Sequence, residues 1–242
     1  MDPTEQDHDR SIAAMFDRIS PRYDFFNRVL SFGTDIGWRR RALEELAARP
    51  GERVLDLGSG TGDLAFAVAA AGARVVAADL SHGMLAVLLR RSGRERAGRL
   101  VGPVVANVHA LPLRDGSVDR VVSGFTVRNV GDLPSAFREL RRVLRPGGRL
   151  VVLELSHPPR RLFALTYRAY FEQVAPRLAA ALGGDPDAYR YLPRSLRAFP
   201  GADELATVIR SVGFVQVRYE RLFFGIAALH IAERTPSVPL KS

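Results

Sequence analysis

The chain has 242 residues, 47% of them hydrophobic, and a formal net charge of +9 from 35 basic and 26 acidic side chains. It holds no cysteine, which excludes disulfides, Cys-based metal sites and cysteine nucleophiles. No apolar run approaches the ~18 residues of a membrane span, and the polar, acidic start from Met1 to Arg10 does not read as a signal peptide, so a cytosolic protein is expected. Lys241 is the only lysine. The arginine-rich charge fits a GC-rich genome as well as attraction to nucleic acid or anionic lipid.

Residues 9–48 read as helices. Ile12, Met15, Phe16 and Ile19 recur at helical spacing, and Ser20-Pro21 then breaks the run with proline at a helix start. Tyr23 to Leu30 continues, Phe32-Gly33-Thr34 turns, and Trp38 to Ala48 forms another helix before Pro50-Gly51. An apolar run over Arg53–Leu57 leads into Gly58-Ser59-Gly60-Thr61-Gly62-Asp63, a helix follows over 64–72, and a second apolar run over 74–78 ends on Asp79. Strand, glycine loop, helix, strand and acid make a βαβ nucleotide-binding unit. A dinucleotide fingerprint needs glycine at 63, where Asp63 stands. The glycines let the backbone approach a ligand closely, and Asp79 is placed to accept hydrogen bonds from two ribose hydroxyls.

Ser81 is expected to cap a helix through Met84, Leu85, Leu88 and Leu89, and 92–102 reads as an Arg/Gly loop. Strands follow near 103–106 and at 118–124, then a helix begun by Asp132 or Ser135 that runs through Ala136, Leu140 and Val143. Pro146-Gly147-Gly148 turns into a strand over 149–155. Strands alternating with helices predict a mostly parallel sheet with right-handed crossovers. Residues 157–200 interrupt the rhythm with Pro158-Pro159, an aromatic helix and a Gly183-Gly184 break. A helix over 202–212, strands over 214–220 and near 225–233, and a disordered tail from Thr235 complete the chain. The expected organisation is a single domain over 1–242: a helical cap (9–48), a cofactor-binding core (53–156), an inserted lid (157–200) and a C-terminal helix with strands (201–234).

The G-x-G-x-G spacing after an acid-bearing strand is that of class I methyltransferases, which bind S-adenosylmethionine. The fold class is therefore α/β, Rossmann-like, with a seven-stranded mostly parallel sheet. Chemistry narrows the acceptor. C5-methylation of pyrimidines generally needs a cysteine nucleophile, and a lysine-based 2′-O-methylation site cannot be built from a lysine in the tail. Methylation of base amino groups usually uses an Asn/Asp-Pro-Pro-aromatic turn, where this chain reads Ser123-Gly124-Phe125-Thr126-Val127-Arg128-Asn129. A small molecule is favoured over nucleic acid.

Several segments resemble the ubiquinone/menaquinone biosynthesis C-methyltransferases. Tyr23-Asp24-Phe25-Phe26-Asn27-Arg28-Val29-Leu30-Ser31 followed by Trp38 resembles the family's first motif, with Phe26 for the usual Met and Asp35 for the usual His. Arg142-Val143-Leu144-Arg145-Pro146-Gly147-Gly148-Arg149-Leu150, then Glu154-Leu155-Ser156, resembles the second, with Arg145 for Lys. Val127-Arg128-Asn129-Val130 is similar to the turn after the fourth strand, with Thr126 where Gly is common. Asp185, Tyr189, Tyr191-Leu192, Ser195 and Pro200 resemble the family's lid, where Arg194 replaces a usual Glu, and Gly225-Ile226 with Ala228-Leu229-His230 its last strand. The resemblance covers about residues 12–234.

It implies methyl transfer from S-adenosylmethionine to a ring carbon of a polyprenylated quinol, demethylmenaquinol before others. A benzoquinol, another phenolic natural product, or a non-catalytic scaffold of a quinone-biosynthesis complex stay open. A ring carbon ortho to a hydroxyl becomes nucleophilic when that hydroxyl loses its proton, so a site needs a proton acceptor or relay and a group to hold the oxyanion. Arg128 stays protonated and is read as stabilising the quinolate, with a water carrying the proton. Asn129 and Tyr23 would orient the hydroxyl or that water. The plainer readings are a surface salt bridge for Arg128 and a cap-helix core residue for Tyr23.

For the cofactor, the resemblance assigns Thr61 to the amino-acid part, Asp79 to the ribose, Asn107 and Val108 to the adenine, and Ser123 to the methionine. Gly58, Gly60 and Gly62 form the loop, and Asp56 reaches the ammonium through the loop or a water. His109 and His157 are candidate bases at strand ends, although a lone histidine is more often structural; no spacing suggests a metal site. Wound as a helix, Phe163, Tyr167, Tyr170 and Phe171 share a stripe flanked by Arg160, Arg161 and Arg168. The expectation is a mobile lid whose stripe lines a channel for the lipid tail and whose arginines face an anionic membrane peripherally; the competing reading packs the stripe on the sheet.

Overall fold

The computed structural model describes residues 3–93, 100–182 and 185–236. Helices α1 (Pro3–Ile19), α2 (Tyr23–Leu30) and α3 (Thr34–Leu46) precede β1 (Arg53–Leu57), α4 (Asp63–Ala70), β2 (Arg74–Asp79), α5 (His82–Ser92), β3 (Leu100–Val105) and β4 (Val118–Gly124). Then come α6 (Leu133–Val143), β5 (Leu144–Leu155), α7 (Arg161–Ala169), α8 (Ala175–Ala181), α9 (Pro186–Ala198), α10 (Ala202–Ser211), β6 (Phe214–Leu222) and β7 (Ala227–Arg234). A π-helical segment, Tyr170–Val174, joins α7 to α8.

The seven strands form one sheet in the order β3-β2-β1-β4-β5-β7-β6. All pairs are parallel except those made by β7, which runs antiparallel to β5 and β6. The inner strands are buried on both faces, so they read as continuous apolar runs. Successive side chains still alternate between two cores. Val54, Val122, Val151 and Leu153 pack with α3, α4 and α5, whereas Leu55, Val121, Leu150 and Val152 pack with α6 and α10. The strand order reverses between β1 and β4, and their carboxyl ends therefore open a crevice of the kind that binds ligands in α/β sheets.

Ser81 caps α5 by accepting from the Met84 N–H at 3.1 Å, and Asp132 rather than Ser135 caps α6. Several boundaries differ from expectation; α3, for one, begins at Thr34, ahead of the expected Trp38. The first helix begins at Pro3, ahead of the expected residue 9. β3 begins at Leu100, inside the segment expected as loop, because it pairs alongside β2 from Val75 onward; residues 94–99 of that segment lie outside the described residues. β5 begins at Leu144, because Leu144 pairs with Val118 before the Pro146-Gly147-Gly148 turn forces a register shift to Arg120–Arg149. The Gly183-Gly184 break and the tail from 237 also lie outside the described residues.

Candidate active site

The loop after β1 is built by backbone geometry. The Gly58 and Ser59 N–H groups both donate to the Ala78 carbonyl, at 2.7 and 3.0 Å, which turns the chain sharply off β1. Gly58 has a φ of +64°, and a Cβ there would meet the Thr126 hydroxyl at 2.1 Å, so only glycine fits. Gly60, at φ +54°, is bare: an added Cβ would meet no protein atom within 4 Å. Asp79 closes the loop from the neighbouring strand. Its Oδ2 accepts from the Gly60 N–H and its Oδ1 from the Ser81 N–H, both at 2.8 Å. Burial raises the Asp79 carboxyl's pKa, and these two N–H groups oppose that rise.

A cavity lies over this loop. Its wall includes Gly58, Gly60, Thr61, Asp79, Asn107, Val108, Gly124 and Asn129. Helix α1 closes it from above with Asp9, Ile12, Ala13 and Phe16, and Asn107 donates to Asp9 Oδ2 at 2.6 Å across the gap. Three predicted cofactor residues stand behind the wall. Ser123 is fully buried and donates to the Leu57 carbonyl at 2.9 Å, tying β4 to β1. Gly62 packs against Phe66 and Leu88. Asp56 is buried under the loop, and no described residue makes a hydrogen bond of full geometry to either carboxylate oxygen; burial pushes its carboxyl up to about 7, with Arg39 the main influence the other way. Thr61 reaches the cavity, but its hydroxyl donates to Asp24 Oδ1 at 2.6 Å.

A second, more apolar cavity adjoins the first. Its wall includes Asn27, Asp35, Trp38, Arg128, Leu155 and Leu192. All four aromatic residues of the predicted stripe, Phe163, Tyr167, Tyr170 and Phe171, also line it. The π-helical segment turns Tyr170 and Phe171 into it together, a use of π geometry common at functional sites. Tyr167 and Phe171 also join the core against the sheet, so the stripe both lines this cavity and packs on the sheet. The Tyr167 hydroxyl is buried with no hydrogen-bond partner among the described residues, and burial raises its pKa, so it stays a donor. Tyr23, Arg39 and Phe125 line both cavities and mark the seam between them.

The predicted catalytic trio divides across this seam. Arg128 lines the apolar cavity and Asn129 the polar one, while Tyr23 reaches both. Arg128 is not a surface ion pair: its Nη1 donates to Glu154 Oε1 at 2.8 Å and to the Phe125 carbonyl at 2.6 Å, with side chains only 7% and 1% exposed. Glu154 also accepts from the Arg128 backbone N–H at 3.1 Å. Burial disfavours the Arg128 cation, yet Glu154 and the Tyr23 and Tyr191 phenols outweigh this, and its pKa rises further above the usual arginine value. Asn129 accepts from the Tyr191 hydroxyl at 3.1 Å, so its side-chain oxygen is held by α9 and turned from the apolar cavity. His157 bonds the Phe199 carbonyl at 2.9 Å, and neither it nor His109 lines either cavity. Sequence reasoning missed Glu154, Arg39 and Phe125 as site residues; an acid inside the buried run Leu150–Leu155 is the one such signal that was readable.

The model of the ubiE/COQ5 methyltransferase family matches residues 4–234. A demethylmenaquinone methyltransferase of Thermus thermophilus is 48% identical over 222 residues, covering 91% of this chain and 100% of the relative. One of a Mycobacterium species is 45% identical over 225 residues, covering 93% and 94%. Among solved structures, a SAM-dependent methyltransferase from Aquifex aeolicus superposes with a TM-score of 0.60 at 18% identity, covering 81% of this chain and 88% of that one. A possible histamine N-methyltransferase from Thermotoga maritima gives 0.61 at 19%, covering 92% and 99%.

Proposed function

This chain belongs to the ubiE/COQ5 methyltransferase family, and on that premise we propose that it methylates a ring carbon of demethylmenaquinol, a quinol with a long prenyl tail. It is an S-adenosylmethionine-dependent methyltransferase with the class I fold. The observation that carries the acceptor assignment is the pair of adjoining cavities. One is the more polar of the two, lies over a glycine loop and ends on an acid; the other is aromatic and opens at the surface; they share Tyr23, Arg39 and Phe125.

The polar cavity suits S-adenosylmethionine. Gly60 leaves the backbone bare to a ligand. Asp79 keeps lone pairs for ribose hydroxyls after accepting two N–H groups. The buried, underbonded Asp56 carboxylate suits a cation such as the ammonium of the amino-acid part, met through the loop or a water. Asn107 and Val108 would flank the adenine, and Thr61 the amino-acid part. When bound, the cofactor supplies an electrophilic methyl group. In the neighbouring cavity Arg128, fixed by Glu154, would hold the quinolate oxygen beside the Tyr167 hydroxyl, while Tyr23 positions the ring at the seam.

Phe32 and Phe223 line the aromatic cavity and are 76% and 52% exposed, so its mouth is apolar and faces outward. Leu165, Phe224 and Ile36, 63%, 63% and 51% exposed, extend the apolar surface of the same elements, and Arg40 and Arg160 are exposed beside them in the chain. No helix among the described residues is long and apolar enough to cross a membrane. A lipid surface fits this rim, and the tail of the quinol would pass from the bilayer through it. Residues 157–200 would then act as the lid; the side chains of Arg161 and Arg168, expected to face lipid, lie outside the described residues.

The direct test incubates the purified protein with S-adenosylmethionine and a short-tailed demethylmenaquinol kept reduced. Mass spectrometry should find the quinol heavier by one methylene unit, with the new methyl on the ring carbon. Tight cofactor binding without methylation of this quinol would discard the acceptor assignment and leave the fold and cofactor standing.

A further inference from the structure

Proton removal from the acceptor hydroxyl has no owner among the groups assigned above. Arg128 is a buried cation, Tyr167 is held as a donor, and neither His109 nor His157 lines a cavity. One side chain in the wall of the aromatic cavity has the right chemistry. Asp35 is the only carboxylate among the described residues of that wall. It is 3% exposed and sits in the first turn of α3, where the helix N-terminus favours a negative charge.

Its surroundings leave it able to act. Oδ1 accepts from the Ser31 hydroxyl at 2.8 Å, its one hydrogen bond among the described residues. Oδ2 faces Arg39 Nε at 3.6 Å, too long for a hydrogen bond, and that Nε is itself buried with no hydrogen-bond partner among the described residues. Lone pairs on the carboxylate therefore remain for a substrate O–H. Arg39 lines both cavities, so its i−4 neighbour Asp35 stands next to the seam where the reacting ring must lie. The other titratable groups facing this space are Tyr23 from α2, Arg128 from the turn after β4, and Tyr167 and Tyr170 from the lid.

We propose that Asp35 is a catalytic residue that accepts the hydroxyl proton of the phenolic acceptor. This rests on the functional reading above. The Asp35 carboxylate takes the O–H proton as the O–H bonding pair stays on oxygen. The ortho carbon then uses its π pair to form the new C–CH3 bond, and the sulfonium–methyl bond breaks with its pair on sulfur. The ring is now a ketone with one tetrahedral carbon. Loss of that carbon's proton to water restores the aromatic ring, and the proton held by Asp35 returns to oxygen. One proton leaves to solvent for each methyl transferred. The neighbouring cations, Arg39 and Arg128, favour the oxyanion between the two proton transfers.

The test compares Asp35→Asn and Asp35→Glu with wild type on the reduced quinol, from pH 6 to pH 9. General-base catalysis is worth about 10²–10⁴-fold, so Asp35→Asn should lose about that much in kcat at neutral pH. Its KM for the quinol and its affinity for S-adenosylhomocysteine by calorimetry should stay within about threefold. The Asp35→Asn rate should climb by about tenfold per pH unit as solvent base replaces the carboxylate. Asp35→Glu should retain turnover within about tenfold, because a carboxylate is still present. Turnover of Asp35→Asn near the wild-type rate would overturn the proposal. So would an equal loss at every pH, or a loss in both variants accompanied by weakened cofactor binding and a lowered melting temperature, since either marks a structural role. Absence of any methylation by wild type would instead count against the acceptor assignment, which the variant-to-wild-type ratio does not address.

Discussion

Replacing Asp79 by alanine removes an acid that holds the loop and that we propose also holds the ligand. In the structure each carboxylate oxygen already accepts one backbone N–H at 2.8 Å, from Gly60 and from Ser81. A carboxylate offers about four acceptor sites, so about two remain for the ribose hydroxyls. A hydrogen bond to a charged group contributes about 1.5–3 kcal/mol, so removing this acceptor should weaken S-adenosylmethionine binding by about 10- to 150-fold. The orphaned Gly60 and Ser81 N–H groups should appear separately, as a melting temperature lower by about 2–4 °C per kcal/mol lost. Asn is expected to rescue little. Both oxygens face N–H donors, so an amide NH2 at either one sets donor against donor. Titration calorimetry with S-adenosylhomocysteine reads the affinity, and a thermal melt without ligand reads the loop. If Asp79→Ala binds the ligand as tightly as wild type while melting earlier, the acid is a strut of the loop and the ribose role is refuted. If Asp79→Asn binds like wild type, the two-donor geometry is refuted.

Arg128→Lys keeps the charge but loses the planar guanidinium, whose Nη1 alone serves Glu154 and the Phe125 carbonyl and so leaves its other nitrogens for an oxyanion; turnover should fall by roughly 10²-fold or more with cofactor affinity nearly intact, and wild-type kinetics would return Arg128 to a structural role. The Asp56 carboxyl titrates at about 7 when folded, against its ordinary value of 3.8, so the folded state keeps a proton that the unfolded chain has lost, and stability falls as pH rises from about 4 to 7. Asp56→Asn should abolish that slope and, in urea melts without ligand at pH 8, exceed wild type by something on the order of 4 kcal/mol; parallel wild-type and variant curves between pH 5 and 8 would contradict it. On liposomes, binding should rise with anionic lipid, fall with salt as the Debye length drops below ~10 Å, and drop when Phe32, Phe223 and Phe224 are changed together to serine. Protein that stays in the supernatant with anionic vesicles at low salt removes the membrane contact.

What the sequence made legible was local. The run from Arg53 to Asp79 carries its strand, turn and helix signals within a few residues, so the loop, the Ser81 cap and the place of Asp79 could be read directly. The aromatic stripe could be read because four aromatic residues share one helix face and the π turn keeps the last two on it. Partners distant in sequence were not legible. Glu154 meets Arg128 only because β5 lies beside β4 in the sheet, and Asp35 and Arg39 reach the site only because α3 crosses above β4 and β5. Asn129 and Arg128 are neighbours in sequence, yet a short 3-10 turn, Val127–Asn129, points them into different cavities. No spacing rule in a loop predicts that division.

Methyl transfer needs donor and acceptor atoms about 3–3.5 Å apart and in line, so the proposed reaction asks for fixed geometry at the seam between the cavities. Phe125 stands there in a left-handed backbone conformation, φ +60°, that costs a bulky residue about 1–3 kcal/mol. Its surroundings hold it in place. Its N–H donates to the Leu153 carbonyl at 2.8 Å, its own carbonyl accepts from Arg128, and the Arg39 guanidinium lies 5.2 Å over its ring. Thr126 then fills the space under Gly58, its hydroxyl donating to the Gly58 carbonyl at 3.3 Å. The turn that carries Arg128 is thereby locked to the loop that carries Gly60, so the group proposed to hold the oxyanion and the backbone proposed to hold the methyl donor share one rigid connection. A strained conformation held at that junction fits the proposed in-line transfer between two separately bound molecules.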